Sequence, residues 1–417
     1  MEAIPEFNLR HLAAMPTIHR RGSIAAALDE VNLSQPALTQ ALARLERLVD
    51  QPLFDRHPGG MVATPAGQLL VARIERALAY LAQGVQRARR LARLPGLPAV
   101  ERRVTLPQLR ALIAVEAAGS YSLAAVRSGV SQPAVYRAVQ ELSTLIGVTL
   151  FNRQGKTVQP TLAATRLLRF VRLALAELSA AMDELHALRA QGAGRIAVGT
   201  LPLARAVLLP QVLARFARAF PAASVNVAEG SYAELLAHLR EGSLDVLIGA
   251  TRHPPPVTDI VQEVLFDDEP VLVARCGHPL VQAECSIDAL LTYPWVMPAR
   301  GAPMRERWER MFNQHGYSPP PLRVESGSVL VMRGLLLEDD WLTMMSRDQF
   351  LFEQRAGLLC ELPFHVAGGR RQIGLTMRSD WYPTTVQRAF VENFRQACAQ
   401  RRDGVPAWPF RHLGIAT

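Results

Sequence analysis

Gln35, Thr39 and Gln40 are short polar side chains near the start of one apolar-periodic stretch, and Gln132, Tyr136 and Arg137 hold the same places 97 residues later. Presented from the first turns of a helix, such groups can hydrogen-bond base edges in a major groove. Arg56, Arg153 and Lys156 fall further along each stretch, placed to meet a phosphate backbone. Hydroxyls at Thr200, Ser231, Ser326 and Ser328 form a second group, at predicted strand-to-helix turns. Beside free backbone N–H groups a hydroxyl can hold an anion, and it can equally serve as a plain helix cap. Nothing reactive accompanies either group. The ten histidines include no HExxH or HxH pair, and Ser231 and Cys276 have no assignable base. Glycine-rich phosphate loops are absent, so no catalytic residue, metal ligand or cofactor is assigned. Asp267-Asp268-Glu269 reads as a solvated turn before a strand at Val271 to Ala274.

One sequence frame places both reading sets. Ser34-Gln35-Pro36-Ala37 recurs as Ser131-Gln132-Pro133-Ala134. The same offset, without a gap, carries Gly22-Ser23 onto Gly119-Ser120, Leu45 onto Leu142, Leu53-Phe54 onto Leu150-Phe151, Arg56 onto Arg153 and Thr64 onto Thr161. Anchors held in register over that distance mark an internal duplication. In the first copy Leu9 to His19 and Ile24 to Leu28 are helical, and Val31-Asn32-Leu33 makes a tight turn. Ser34 caps the third helix, and Pro36 sits in its first turn, where a missing donor costs little. Leu38, Leu42 and Leu45 share one inward face, which leaves Gln35, Thr39 and Gln40 outside. In the second copy Val135, Val139 and Leu142 take the inward places. With wings at Phe54 to Thr64 and Phe151 to Thr161, each copy reads as a winged helix-turn-helix.

A long helix follows each wing. Ala66 to Leu94 carries Leu70, Ile74, Leu78, Leu81 and Val85 along one side, and Ala163 to Leu188 carries Leu167, Val171, Leu175, Leu178, Met182 and Leu185. These stripes run beyond what a small domain can cover, so the two helices are predicted to pair with each other. The connector from Pro95 to Val104 is ten residues, able to span about 30–35 Å.

The formal charge of +9 is confined to one half. Residues 1–191 hold 23 Lys plus Arg against 14 Asp plus Glu, and residues 192–417 hold 23 of each. An excess placed on the duplicated half suits contact with phosphate. No apolar run of eighteen residues indicates a membrane span, and the N-terminus lacks a signal-peptide pattern, which predicts a cytoplasmic protein with no membrane partner. Cys276, Cys285, Cys360 and Cys398 show no CxxC spacing and read as ordinary thiols in a reducing compartment.

From residue 192 the pattern changes to strand–helix–strand–helix–strand: Arg195 to Gly199, a helix to Phe220, Ala223 to Glu229, Tyr232 to Arg240 and Val246 to Ile248. That order implies a parallel sheet covered on both faces. Pro254-Pro255-Pro256 then reads as a crossing into a second lobe, and Ile373 to Met377 with the helix from Thr384 as the return. The expected organisation is a first headpiece with its long helix over 1–94, a connector over 95–104 and a second headpiece with its helix over 105–191. A two-lobed domain follows over 192–400, with lobe I at about 192–255 and 360–400 and lobe II at about 256–359, then a tail at 401–417. Two α/β lobes joined by crossings enclose a cleft suited to a small ligand.

Taken together, these motifs resemble the LysR-type transcriptional regulators. The family's Ser-Gln-Pro-Ala, Leu-Glu, Leu-Phe-x-Arg and Thr-x-Ala-Gly segments appear as Ser34 to Ala37, Leu45-Glu46, Leu53-Phe54-Asp55-Arg56 and Thr64-Pro65-Ala66-Gly67. The second copy matches at Ser131 to Ala134 and Leu150-Phe151-Asn152-Arg153, and Gly147 fits a glycine that the first copy replaces with Asp50. Its Leu142-Ser143 and Thr161-Leu162-Ala163-Ala164 depart from the pattern. The resemblance implies a multidomain fold: two tandem winged helix-turn-helix domains with linker helices, then a two-lobed α/β, periplasmic-binding-protein-like effector domain. Family members normally have one headpiece per chain. The resemblance further implies double-stranded promoter DNA read through Ser34, Gln35, Pro36, Ser131, Gln132, Pro133 and the residues named above. It implies a small-molecule effector near Thr200, Ser326 and Ser328; with Ser231, placed by its own strand-to-helix turn, these hydroxyls suit a polar or anionic metabolite. A homo-oligomer through the effector domain and contact with RNA polymerase complete the expected partners.

Overall fold

The computed structural model describes residues 5, 7–31, 33–155, 157–189, 192–368 and 370–402. Asn32 of the first tight turn, Lys156 of the second wing and the tail from residue 403 lie outside the described residues.

The first headpiece consists of α1 (Leu9–Arg21), α2 (Ile24–Ala27), α3 (Gln35–Val49) and the hairpin β1 (Phe54–His57) to β2 (Gly60–Ala63), followed by α4 (Pro65–Leu91). The second consists of α5 (Leu106–Ala118), α6 (Tyr121–Ser128), α7 (Gln132–Ile146) and the hairpin β3 (Phe151–Gln154) to β4 (Thr157–Pro160), followed by α8 (Leu162–Arg189). The caps fall where the hydroxyls predict them. Ser34 accepts from the Ala37 N–H and Ser131 from the Ala134 N–H, both at 3.4 Å. Leu38, Leu42 and Leu45 are buried, as are Val135, Val139 and Leu142. Each wing is pinned to its own headpiece by one backbone bond, from the Met61 N–H to the Gly22 carbonyl and from the Val158 N–H to the Gly119 carbonyl.

The helices α4 and α8 lie antiparallel against each other and share a core with both headpieces. Their order along the pair is plain from the contacts: Arg73 reaches Glu177 and Glu184, while Gly84 lies under Phe170. A Cβ on Gly84 would fall 2.7 Å from that of Phe170, so glycine is required there for the ring to seat. Each long helix ends on the other headpiece. Gln51 Nε2 donates to the Leu185 carbonyl at 2.8 Å, and Arg189 pairs with Asp50 at 2.5 Å. In the opposite direction Arg89 donates to the Ile146 carbonyl, capping α7, and its guanidinium occupies the space that a side chain on Gly147 would need. The exchange of glycine for Asp50 thus has a local reason. Asp50 closes α3 in the left-handed conformation (φ 52°), which aspartate tolerates, and its carboxylate receives Arg189. The connector is not a free tether, because Val100 and Val104 are buried in the shared core.

The second half begins with β5 (Gly194–Thr200), α9 (Leu208–Ala219), β6 (Ala223–Glu229), α10 (Tyr232–Glu241), β7 (Val246–Ala250), β8 (Ile260–Asp268) and β9 (Val271–Arg275). It continues with α11 (Ile287–Leu291), β10 (Val296–Met297), α12 (Pro303–Gln314), β11 (Val324–Glu325), α13 (Val329–Glu338), β12 (Thr343–Met345), α14 (Leu351–Arg355), β13 (Leu359–Glu361), β14 (Arg371–Arg378) and α15 (Thr385–Arg402). Lobe I is a five-stranded sheet in the order β6-β5-β7-β14-β8, with β14 antiparallel to its neighbours. Lobe II holds the sheet β12-β9-β13 and the pair β10-β11.

Two sequence expectations are corrected here. The crossings are not at 256 and 360: β8 belongs to the sheet of lobe I and β13 to that of lobe II, so the chain crosses after Asp268 and returns before Arg371. The first crossing falls at the acidic turn Asp267-Asp268-Glu269, and the prolines at 254–256 punctuate a loop within lobe I. The cysteines are not all ordinary thiols either. Cys276 and Cys360 form a disulfide across the adjacent strand ends of β9 and β13, with Cα atoms 5.0 Å apart. A separation of 84 residues gave no local sign of that neighbourhood. Cys285 and Cys398 remain as thiols.

Lobe I docks on the middle of both long helices. Asp259 accepts from Arg169 of α8 and from Arg240 of α10. Burial alone would raise the Asp259 carboxyl, but these guanidiniums hold it below the usual carboxylate range. On α4, Arg73 donates to the Tyr382 carbonyl at 2.8 Å and lies 4.5 Å over the Tyr382 ring, and Tyr80 donates to Asp380 at 2.9 Å. Burial, then the Asp380 charge, pushes the Tyr80 phenol well above its ordinary range.

Candidate functional site

The outward faces of α3 and α7 carry the predicted readers. Ser34, Gln35, Pro36 and Gln40 are exposed and Thr39 is half-buried; Ser131, Gln132, Pro133, Tyr136 and Arg137 are all exposed. Arg56 and Arg153 are exposed on the hairpins, and Arg153 donates to the Gly155 carbonyl at 3.2 Å. Each headpiece therefore offers a row of polar groups on a helix beside a wing that presents an exposed arginine. That is a surface able to contact base edges and phosphate together.

The two rows are not supported alike. In the first, the Thr39 hydroxyl donates to the Gln35 carbonyl at 2.9 Å, and the Gln35 amide has no partner among the described residues. In the second, the Ser122 hydroxyl of α6 donates to Gln132 Oε1 at 3.0 Å. Tyr136 meets the Tyr121 ring edge-on at 5.3 Å, and Tyr121 in turn meets Phe151 at 6.3 Å. Sequence reasoning passed over Ser122 and Tyr121. The signal was there in the offset, which sets them opposite Ala25 and Ile24.

In the effector half, the four hydroxyls lie at the turns expected of them. Thr200 ends β5 and is fully buried, with its hydroxyl donating to the Leu201 carbonyl at 3.3 Å. Ser231 caps α10, accepting from the Glu234 N–H, and Ser328 caps α13, accepting from the Val331 N–H. Ser326 Oγ accepts from the Ser328 N–H at 3.2 Å. Capping uses a lone pair of Ser231 and of Ser328 and leaves each O–H able to donate. Thr200 and Ser231 belong to lobe I, Ser326 and Ser328 to lobe II.

Three residues that sequence reasoning missed share the C-terminal end of the lobe I sheet, where open α/β sheets hold ligands. Arg205 follows β5, pairs with Glu229 at 2.6 Å and donates to the Thr200 carbonyl at 3.0 Å, while its Nε is buried without a partner among the described residues. Arg252 follows β7 and stacks 3.7 Å over the ring of Tyr232, whose buried hydroxyl is also unpartnered among the described residues. Desolvation lowers the Arg205 pKa and raises that of Tyr232.

A cavity of about 350 Å³ lies beside the crossings, lined by Asp267, Asp268, Glu269, Arg347 and Arg370 and by none of the four hydroxyls. Arg371 and Ser346 both donate to Asp268, at 2.7 and 2.6 Å, so the acidic turn is partly neutralised. Among the described residues no group of His, Cys, Asp or Glu is arranged to hold a metal ion, and no single helix is long and apolar enough to cross a membrane.

Comparison with known proteins agrees with this geometry. Residues 189–399 match the LysR substrate binding domain, and residues 9–68 and 106–165 each match the bacterial regulatory helix-turn-helix of the lysR family. The chain is 32% identical over 394 residues to the HTH-type transcriptional regulator GalR of Pseudomonas putida, covering 94% of this chain and 98% of that protein. It is 28% identical over 306 residues to PcaQ of Agrobacterium fabrum, covering 73% and 98%. Two solved structures share the fold at 20% identity and a TM-score of 0.51: CbnR, covering 69% of this chain and 97% of that one, and a full-length OxyR variant of Pseudomonas aeruginosa, covering 70% and 98%. GalR and PcaQ are HTH-type transcriptional regulators, and CbnR is a LysR family transcriptional regulator. The chain belongs to the LysR-type family and is a DNA-binding transcriptional regulator with a C-terminal effector domain.

Proposed function

We propose that a single chain forms a complete two-headed reader of promoter DNA, made by duplication of one headpiece with its linker helix. A small molecule between the two lobes of residues 192–400 then sets its activity. The observation that carries this reading is the antiparallel pairing of α4 with α8 inside one chain, each helix ending on the other's headpiece. Alignment over 98% of the GalR relative, across 94% of this chain, supports a shared long form. The desolvated Arg205 and the stacked Arg252 favour a polar or anionic effector. Association of chains through the effector domain, contact with RNA polymerase and a cytoplasmic location belong to the same reading.

Footprinting tests the DNA face. Gln35→Ala or Gln132→Ala should weaken specific binding by about 1–3 kcal/mol per lost base contact. Arg56→Ala or Arg153→Ala should weaken specific and non-specific binding together. A Gln35→Ala protein that discriminates its operator as well as the wild type would remove the first headpiece as a sequence reader.

Thr200 tests the cleft. Thr200→Val preserves shape, so the protein should fold, while affinity for an effector found by screening organic acids should fall by about 1.5–3 kcal/mol, or by about 0.5–1.5 kcal/mol if the effector is uncharged. Calorimetry giving an unchanged dissociation constant would take Thr200 out of the site.

A further inference from the structure

We infer that Ser122 is a positioning residue that makes the two headpieces read different bases at equivalent places, so that the preferred operator is not a palindrome. The inference rests on the reading above, in which both α3 and α7 enter the groove. Gln35 and Gln132 occupy corresponding positions, 97 residues apart, at the exposed start of their helices. A glutamine amide with both ends free can pair with adenine, accepting from N6 and donating to N7. Gln35 is in that condition among the described residues.

Gln132 is not. Its Oε1 accepts the Ser122 hydroxyl proton at 3.0 Å, which occupies one of the oxygen's two lone pairs and leaves both N–H groups to donate. Such a group meets acceptors best, and guanine offers two in the major groove, O6 and N7. Ser122 is well placed to hold it. It lies in α6, whose start is capped by Ser120 and whose end is closed by Gly129 in the left-handed conformation. The first headpiece has Ala25 at the corresponding position and can form no such bond. Docking in the groove removes competing water, so a contact that is exposed in the free protein is strengthened once DNA is bound. The next outward residue differs as well. Tyr136, braced by Tyr121, stands where the first row has Thr39, whose methyl suits the methyl of thymine.

The test is selection from a library of random-sequence duplexes by the full-length wild type and by Ser122→Ala, Ser122→Thr, Gln132→Ala and Ala25→Ser. The wild type should enrich two unlike half-sites, with adenine preferred at the Gln35 position and guanine at the Gln132 position. Ser122→Ala should move the second preference from guanine toward adenine by about tenfold. Ser122→Thr, which keeps the hydroxyl, should leave it in place, and Ala25→Ser should move the first preference toward guanine. Equal melting temperatures would show that none of these shifts comes from unfolding. If Gln132→Ala erases the preference while Ser122→Ala leaves it unchanged, the positioning role is wrong although the two-headed reader stands. Two identical half-sites would also overturn it. Enrichment of one half-site only would overturn the two-headed reader itself.

Discussion

Arg73→Ala is expected to destabilise the protein by about 3–5 kcal/mol, measured as a shift in the urea unfolding midpoint of the full chain. Arg73 is almost completely buried and bridges three elements, with bonds of 2.7 Å to Glu177, 2.8 Å to Glu184 and 2.8 Å to the Tyr382 carbonyl. Both carboxylates are themselves nearly buried, so the substitution leaves Glu184 without its guanidinium and Glu177 with Arg76 alone. The cost comes mainly from that stranded charge, because replacing a whole buried ion cluster with apolar side chains is often nearly neutral. Arg73→Met combined with Glu177→Leu and Glu184→Leu should therefore recover most of the loss. A single-substitution effect below about 1 kcal/mol would mean that the carboxylates reach water on their own. The same residues choose the pairing. In the 97-residue offset Arg73 corresponds to Phe170, Tyr80 to Glu177, Gly84 to Ala181 and Arg87 to Glu184. Two copies of α4 would set Arg73 against Arg87, and two copies of α8 would set Phe170 against Ala181 and the unneutralised glutamates. Only α4 with α8 satisfies both charge and size.

Disabling one headpiece should cost far more affinity than its own contacts suggest. With Gln35→Ala and Arg56→Ala combined, operator binding is expected to fall by about 10²–10⁴-fold, since the second docking event is intramolecular in the intact chain. A gel-shift titration should show occupancy rising with the first power of wild-type concentration at low concentration. A fragment of residues 1–191 should sediment as a monomer yet protect two successive half-sites. An obligate dimer, or protection of a single half-site, would defeat the proposal that one chain suffices.

The headpieces were legible in detail because their periodicity is local. The spacing of Leu38, Leu42 and Leu45 and the caps at Ser34 and Ser131 settle helix faces from a few neighbouring residues. The long apolar stripes likewise announced that α4 and α8 needed a partner. Less legible were features set by strands distant in sequence. The fifth strand of lobe I, Ile260–Asp268, looked like lobe II because its partner Arg371–Arg378 lies a hundred residues on. The Cys276–Cys360 pair was hidden for the same reason. Within the candidate site, Gln132 was identified by type and place, but its restraint by Ser122 required knowing how α6 approaches α7. Arg205 and Arg252 were overlooked because isolated arginines in loops carry no spacing signal. Only the sheet brings them to one end.

The unequal surfaces of α4 and α8 also bear on synthesis. The ribosome completes α4 roughly seventy residues before α8 begins. At about 5–20 residues per second, the first helix waits several seconds with its apolar side uncovered. On a crowded messenger, the nearest available surface is another unfinished copy of α4. Arg73 and Arg87 oppose that encounter, so the helix is kept from premature association until its own partner emerges.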